Sequence, residues 1–316
     1  MRGLRRAARV PAFPACLACR ILLTITAMPS PVADPAVPDP VVDGIAAPVG
    51  SEGSLRLVVD RVAGRTRIVD LRCTGPIQVL RCQYLTPDAP DVASVMIASP
   101  SGGVLQGDRL RISVDVGPGA RLILDTQSAT RLYRMPAGQA RIEARFEVAP
   151  EGWLEYVPDP YIPFAGSDTT IETAVVVDEA AGILLGEVVA AGRIARGEVF
   201  EMTAFGSSVT ATRPSGQLLF SDATVMTRDE SLTDPGMMAD GTALASLFVV
   251  VAGSDPAVLR AAIGAERVGA STLPNGAGTW LRHVAADTAG ARAVVAAGRT
   301  AARLAALGIA TPARRV

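Results

Sequence analysis

Lysine is absent: all 30 basic residues of this 316-residue chain are arginines. Against 31 acidic residues they leave a formal net charge of −1. That balance provides no basic face for nucleic acid and no polybasic patch for an anionic membrane. Histidine occurs once, at His283, which excludes a His-rich metal site within one chain. The 4 cysteines are too few for a disulfide scaffold. Cys16 and Cys19 have CxxC spacing, but no second pair follows and no strand–helix–strand pattern surrounds them, so they are read as incidental. Cys73 and Cys82 are expected as core residues on adjacent strands. Aromatic residues make up 4%, which leaves little to line a sugar-binding cleft. No apolar run is long enough to span a bilayer. A Gly-x-Ser-x-Gly elbow is also missing, and His283 has no Ser or Cys partner at a recognisable spacing.

What the chain does have is apolar alternation. Hydrophobic residues reach 49% against 19% charged, the balance of a folded domain with a sizeable core. After Asp108, the residues Leu110, Ile112, Val114 and Val116 alternate with Arg109, Arg111, Ser113 and Asp115, as in a half-buried strand. Gly117-Pro118-Gly119 turns the chain, and Arg121 to Thr126 returns as a second strand. The pair reads as a hairpin. Loose echoes follow at Ala144–Leu154, Thr173–Leu184 and Val209–Leu219. Their turn glycines Gly119, Gly152, Gly182 and Gly216 recur about every 30 residues, a period typical of stacked supersecondary units. Such units bury their apolar faces only against one another. The expected fold is therefore mainly β, with stacked strand–turn–strand units in a superhelical or layered arrangement. A small C-terminal α/β part ends it: Ser254 is expected to cap a helix running to about Gly264, and Asp287 a long helix from Thr288 to Leu307, closed by Gly308. Residues 51–252 form the β body and 253–316 the helical part of one domain.

Residues 1–50 read as a flexible flank, rich in Pro, Ala and Val towards its end. Arg2, Arg5, Arg6 and Arg9 ahead of the apolar Ile21–Ala27 imitate a signal peptide, but Pro11, Pro14 and Arg20 interrupt the pattern. A chain that starts at Met28 accounts for the segment equally well, and the expected location is the cytoplasm.

Candidate chemistry centres on carboxylates. The loop around Gly102, Gly103 and Gly107 ends in Asp108 and leads into a strand. A phosphate-binding loop needs Gly-Lys-Ser/Thr leading into a helix, so nucleotide binding is not expected. The loop is either a tight turn or a backbone-lined aperture with one carboxylate at its rim. Glu155 and Asp159 lie among prolines, and Glu187 follows. They leave open a carboxylate-dependent hydrolase. A secreted β-rich surface protein remains a further alternative, and neither has a distinct catalytic constellation.

The order of motifs resembles the urease accessory proteins of the UreD (UreH) type. The resemblance runs through Gly102, Gly103, Gly107 and Asp108, then Thr126, Gln127, Ala129, Thr130, Tyr133 and Arg134. It continues through Trp153, Leu154, Glu155 and Pro158, then Glu187, Gly192, Arg193, Gly197, Glu198 and Phe200. It ends with Gly269–Gly276 and Arg282. Where the family often has Gln-Glu after the proline, this chain has Asp159-Pro160. The resemblance implies a non-enzymatic maturation factor that binds apo-urease, a UreF-type protein and, through it, a UreG-type GTPase. It also implies nickel in transit rather than a stably bound cofactor. Asp108, Glu155, Asp159 and Glu187 are the candidate transit carboxylates, since spaced carboxylates and water suit passage of Ni²⁺ better than retention. At least two of them are expected to face one water-filled channel.

Overall fold

The computed structural model of the chain describes residues 50–264 and 267–309. The Cys16–Cys19 pair, the signal-like segment and the Met28 start lie outside them. The elements in chain order begin with β1 (Glu52–Val62), β2 (Arg65–Thr74), β3 (Gln78–Val79), β4 (Ala93–Ala98), β5 (Gly103–Val104) and β6 (Arg109–Val116). Next come β7 (Arg121–Thr126), β8 (Thr130–Leu132), β9 (Ala140–Val148), β10 (Trp153–Tyr156), β11 (Tyr161–Pro163) and β12 (Asp168–Val177). The chain closes with β13 (Gly182–Ala190), β14 (Ala204–Thr212), β15 (Leu218–Thr227), β16 (Ala243–Val250), α1 (Pro256–Ile263), β17 (Val268–Thr272), β18 (Thr279–Ala285) and α2 (Thr288–Leu307).

Two sheets face each other. The smaller has 7 strands in the order β15-β14-β12-β9-β6-β1-β2. The larger has 11, along the path β17-β18-β16-β13-β10-β7-β4-β3 with β5, β8 and β11 as a side ladder. The stacking of repeated units is as expected; their internal geometry is not. β6 and β7 are not a hairpin. β6 pairs in parallel with β1 and β9, and β7 in parallel with β4 and β10. Gly117-Pro118-Gly119 thus carries the chain across from one sheet to the other. The same crossing joins β9 to β10 and β12 to β13, so each unit is one coil of a parallel β-solenoid. Local alternation is identical for a hairpin and for such an arch; only the partner, one coil away, tells them apart. The Val209–Leu219 echo is a true antiparallel hairpin, β14–β15, and closes the smaller sheet at one edge. β2 closes the other edge antiparallel to β1, with Arg67, Asp70 and Arg72 along it, a charged edge that discourages further strand pairing.

Inward residues of both sheets fill the core. Leu57, Val114, Phe146 and Val175 from the smaller sheet meet Leu122, Leu154, Ile183 and Phe248 from the larger. α2 covers the outer face of the larger sheet, packing Ala291, Val294, Val295 and Ala302 against Leu184, Val188, Leu247 and Leu281. Its caps are those expected: Asp287 accepts a bond from Gly290 N, and Gly308 takes the left-handed conformation. The N-cap of α1 is Asp255, not Ser254, and it accepts from Ala257 N at 2.8 Å. Pro256 at the first helical position sets this, because it holds the residue before it in extended backbone. Cys73 is exposed and Cys82 only half-buried, contrary to expectation, because the end of β2 lies along the open edge of its sheet.

Candidate functional site

The space between the sheets holds two separate apolar clusters, one around Leu57, Phe146 and Phe248, the other around Leu132, Ile142 and Phe205. At the level where they part, strand after strand breaks its inward apolar row with one polar residue. On β12 Thr173 stands between Ile171 and Val175; on β14 Ser207 stands between Phe205 and Val209. On β13 Glu187 follows Leu185 and precedes Val189; on β16 Ser246 follows Leu244 and precedes Phe248. On β18 Arg282 stands between Trp280 and Val284. The strand register aligns three of these directly, Glu187 with Ser246 and Ser246 with Arg282. The result is a polar seam through an apolar interior.

Hydrogen bonds tie the seam across the two sheets. Ser207 donates its hydroxyl to Glu187 Oε2 at 2.5 Å. Arg282 donates from Nη2 to Asp222 Oδ2 at 2.6 Å and from Nε to Ser246 Oγ at 3.3 Å. Its guanidinium also lies 5.5 Å from the Trp280 ring centre. Glu187 faces a void of about 20 Å³, room for about one water, walled by Tyr156, Tyr161, Thr173 and Val209. Tyr156 and Tyr161 also wall a second void of about 90 Å³. That second void reaches Ser99, Gly102, Thr126, Gln127 and Thr130. Burial pushes the Glu187 carboxyl above its ordinary value; Ser207 and the Arg282 charge pull it down without reversing the rise, and Asp222 adds to it. Burial likewise pushes the Tyr156 hydroxyl up to about 12, so this tyrosine stays a neutral donor. A carboxyl so placed can exchange a proton for a cation, with hydroxyls as weak additional ligands.

The other candidate carboxylates stand elsewhere. Asp108 is buried and holds its loop shut, its two oxygens accepting from Ser51 N and Leu105 N at 2.8 Å each. Glu155 points to the opposite face of the larger sheet from Glu187, since its neighbours Leu154 and Tyr156 are the ones in the inter-sheet core. There it is 0% exposed and meets α2. Arg303 grips it through Nε and Nη2 at 2.6 Å each, Arg299 Nε reaches it at 2.6 Å, and Trp153 Nε1 donates at 2.8 Å. Burial alone would raise the Glu155 pKa; the Arg299 charge and the Arg303 bonds outweigh that and hold it below its ordinary value. Asp159, also under α2, pairs with Arg292 at 3.3 Å. Glu155 and Glu187 are separated by the sheet itself and cannot form an acid–base pair, which removes that pairing for a hydrolase.

Several motif residues converge on the side ladder. Gly103 on β5 lies against β8 so closely that a Cβ would come within 2.5 Å of Arg131 O and 2.6 Å of the Tyr133 ring. Tyr133, just past β8, packs edge-on against Phe164, just past β11, at 5.1 Å. Arg193 stacks on Phe164 at 4.1 Å and forms a forked ion pair with Glu198. Glu198 in turn accepts from Ala165 N. Gly192 has φ +144, and a Cβ there would meet Glu198 O at 2.6 Å. Gly197 ends the short helical turn Ile194–Arg196, leaving Ile194 and Val199 exposed on the clamped loop. Arg134 is exposed, its stem beside Gly166. Thr126, whose hydroxyl accepts from Asp159 N at 2.7 Å, joins Gln127 and Thr130 at the mouth of the larger void.

Sequence reasoning singled out Glu187, noted Arg282 in passing, and missed Ser207, Ser246, Asp222 and the tyrosine pair. The available signal was one polar residue interrupting the inward apolar row of β12, β13, β14, β16 and β18. Among the described residues no three His, Cys, Asp or Glu side chains cluster as a metal site.

The family model for the UreD urease accessory protein matches residues 51–316. The chain is 38% identical over 240 residues to the urease accessory protein UreD of Haloarcula marismortui, covering 74% of this chain and 80% of that one. It is 32% identical over 255 residues to UreD 2 of Streptomyces griseus, covering 78% and 86%. With UreD of Mycolicibacterium gilvum it shares 36% over 248 residues, covering 76% and 89%.

Proposed function

Because the chain belongs to the UreD family of urease accessory proteins, we propose that it acts without catalysis of its own as a scaffold for urease maturation. It binds apo-urease together with a UreF-type protein and, through that, a UreG-type GTPase, in the cytoplasm. Nickel is its cargo, and the polar seam is the path. The observation that supports this reading most is the alignment of Glu187 with Ser207, Ser246 and Arg282 between two apolar clusters. An interior of this size would be more stable filled with hydrocarbon, so a file of polar groups at one level calls for a use.

A charged cargo cannot cross an apolar core at acceptable cost, whereas carboxyl and hydroxyl oxygens replace part of its hydration shell. Glu187 supplies the one full charge beside the void; Tyr156 and Tyr161 separate the two voids and supply neutral oxygens. One carboxylate with hydroxyls binds Ni²⁺ weakly, which suits hand-over. Asp108, Glu155 and Asp159 hold the walls in place: one shuts a loop, two seat α2. No helix among the described residues is long and apolar enough to cross a bilayer.

The test is reconstitution. Urease subunits co-expressed with UreF- and UreG-type proteins should remain inactive without this chain, become active with it, and co-purify with it. Equal activation in its absence would overturn the reading.

A further inference from the structure

Arg282 is an awkward residue for a cation path. It is 6% exposed, carries a fixed positive charge, and lies at the same level of the seam as Glu187. Ser246 is the only residue between them in the register, so their Cα atoms are about 9–10 Å apart, two strand spacings. An arginine and a glutamate side chain extended towards each other close that gap. Yet Arg282 is bonded instead to Asp222 on the facing sheet, at 2.6 Å. Asp222 therefore holds the guanidinium away from Glu187, on the β15–β18 side of the sandwich.

Resting on the reading of Glu187 as the cargo contact, we propose that Arg282 is a release element with two partners, Asp222 and Glu187. Paired with Asp222 it leaves Glu187 open to a divalent cation but keeps a like charge close enough to weaken the grip. When it swings to Glu187 it replaces the cation as counter-charge, and the cation moves on. The exchange breaks one ion pair and makes another; the carboxylate left without its partner at the end is Asp222, whose side chain is 22% exposed and is met by water. Ser246 Oγ, which already accepts from Arg282 Nε, is placed between the two positions and can hold the guanidinium during the swing. The electrostatics agree: the Arg282 charge acts on the Glu187 carboxyl even in the Asp222-paired arrangement, and Asp222 acts on it with opposite sign. Trp280 offers its ring face to the guanidinium, so the cation keeps favourable contact while it exchanges partners.

The experiment measures Ni²⁺ affinity of the full-length chain by equilibrium dialysis at neutral pH. Wild type is compared with Arg282→Met, Asp222→Asn, Glu187→Gln and the double variant Arg282→Met/Glu187→Gln. Removing the like charge should tighten binding by about tenfold, and the gain should vanish when Glu187 is also replaced. A purely structural role for Arg282 would not produce a Glu187-dependent gain. Asp222→Asn should weaken binding, because Arg282 then pairs with Glu187. Unchanged affinity in both single variants, with weaker binding in Glu187→Gln, overturns the release element but leaves the transit reading standing. If Glu187→Gln changes nothing in either background, the transit reading itself falls. Should Arg282→Met fail to fold, Asp222→Asn decides alone: weaker binding supports the exchange, and equal or tighter binding refutes it.

Discussion

Replacing Glu155 should free α2 from the sheet. The carboxylate is fully buried, and two arginines and an indole are built around it. Glu155→Gln keeps the shape but removes the carboxylate that Arg299 and Arg303, the latter 1% exposed, are built around. Breaking one side of a buried pair costs about 3–5 kcal/mol. A domain is stable by only about 5–15 kcal/mol, so the change removes about a fifth of the total or more. The loss should concentrate on α2, because Arg299 and Arg303 are its anchors to Glu155 and Asp125. Urea unfolding gives the magnitude, and hydrogen exchange locates it in residues 288–307. The effect also has a pH signature. The folded pKa of Glu155 is held below the ordinary 4.5, so its contribution is present above about that pH and is lost as the pH falls through the folded value. Wild type and variant should therefore converge in acid. Glu155→Met with Arg303→Met should recover part of the loss, since apolar replacement of both partners leaves no orphan charge between them. A loss below about 1 kcal/mol, the size of a surface pair, or unchanged exchange in α2, would refute the reasoning.

Glu187→Gln should have the opposite effect on stability. The folded pKa of Glu187 is raised, so its stabilising contribution is full below about the ordinary 4.5 and is lost as the pH rises through the folded value. The amide should therefore raise the melting temperature near neutral pH and give no advantage in acid, which thermal melts across pH will check. Gly103→Ala should cost about 1–3 kcal/mol by overpacking against β8, with faster exchange in β5 and β8 as the sign that the loss is local. Deleting residues 1–27 should leave urease activation unchanged in a reconstituted assay; loss of activation would assign the segment a role.

What was legible in the sequence was local. Alternation in β6, β9, β12 and β14 and the caps of α2 are set by neighbours one to four residues away, and these came out as expected. The pairing of β6 did not, because Gly117-Pro118-Gly119 serves an arch as well as a hairpin, and the choice rests on β1 and β9. Pro256 sets the cap of α1 at Asp255, one residue past Ser254, because a proline holds the residue before it in extended backbone. The seam was hidden for a different reason. Ser207 or Ser246 alone looks like noise in an apolar strand; only the register of β13, β16 and β18, with the Ser207–Glu187 bond across the sheets, brings the breaks together. Glu155 shows the same limit in energetic form. Its role is decided by Arg299 and Arg303, 144 and 148 residues away. The motif residues Gly103, Tyr133, Arg193 and Glu198, spread over nearly a hundred positions, meet on one side ladder for the same topological reason: each coil returns there.

The central claim is that nickel passes Glu187 on its way to urease. The measurement that tests it most directly is nickel bound per urease active site after activation with chains carrying Glu187→Ala or Glu187→Gln. The assembled accessory–urease complex is quantified in the same preparation. The account predicts an intact complex and a clearly lower nickel content with either variant. Full nickel loading by a Glu187 variant, in a complex as abundant as wild type, would contradict it.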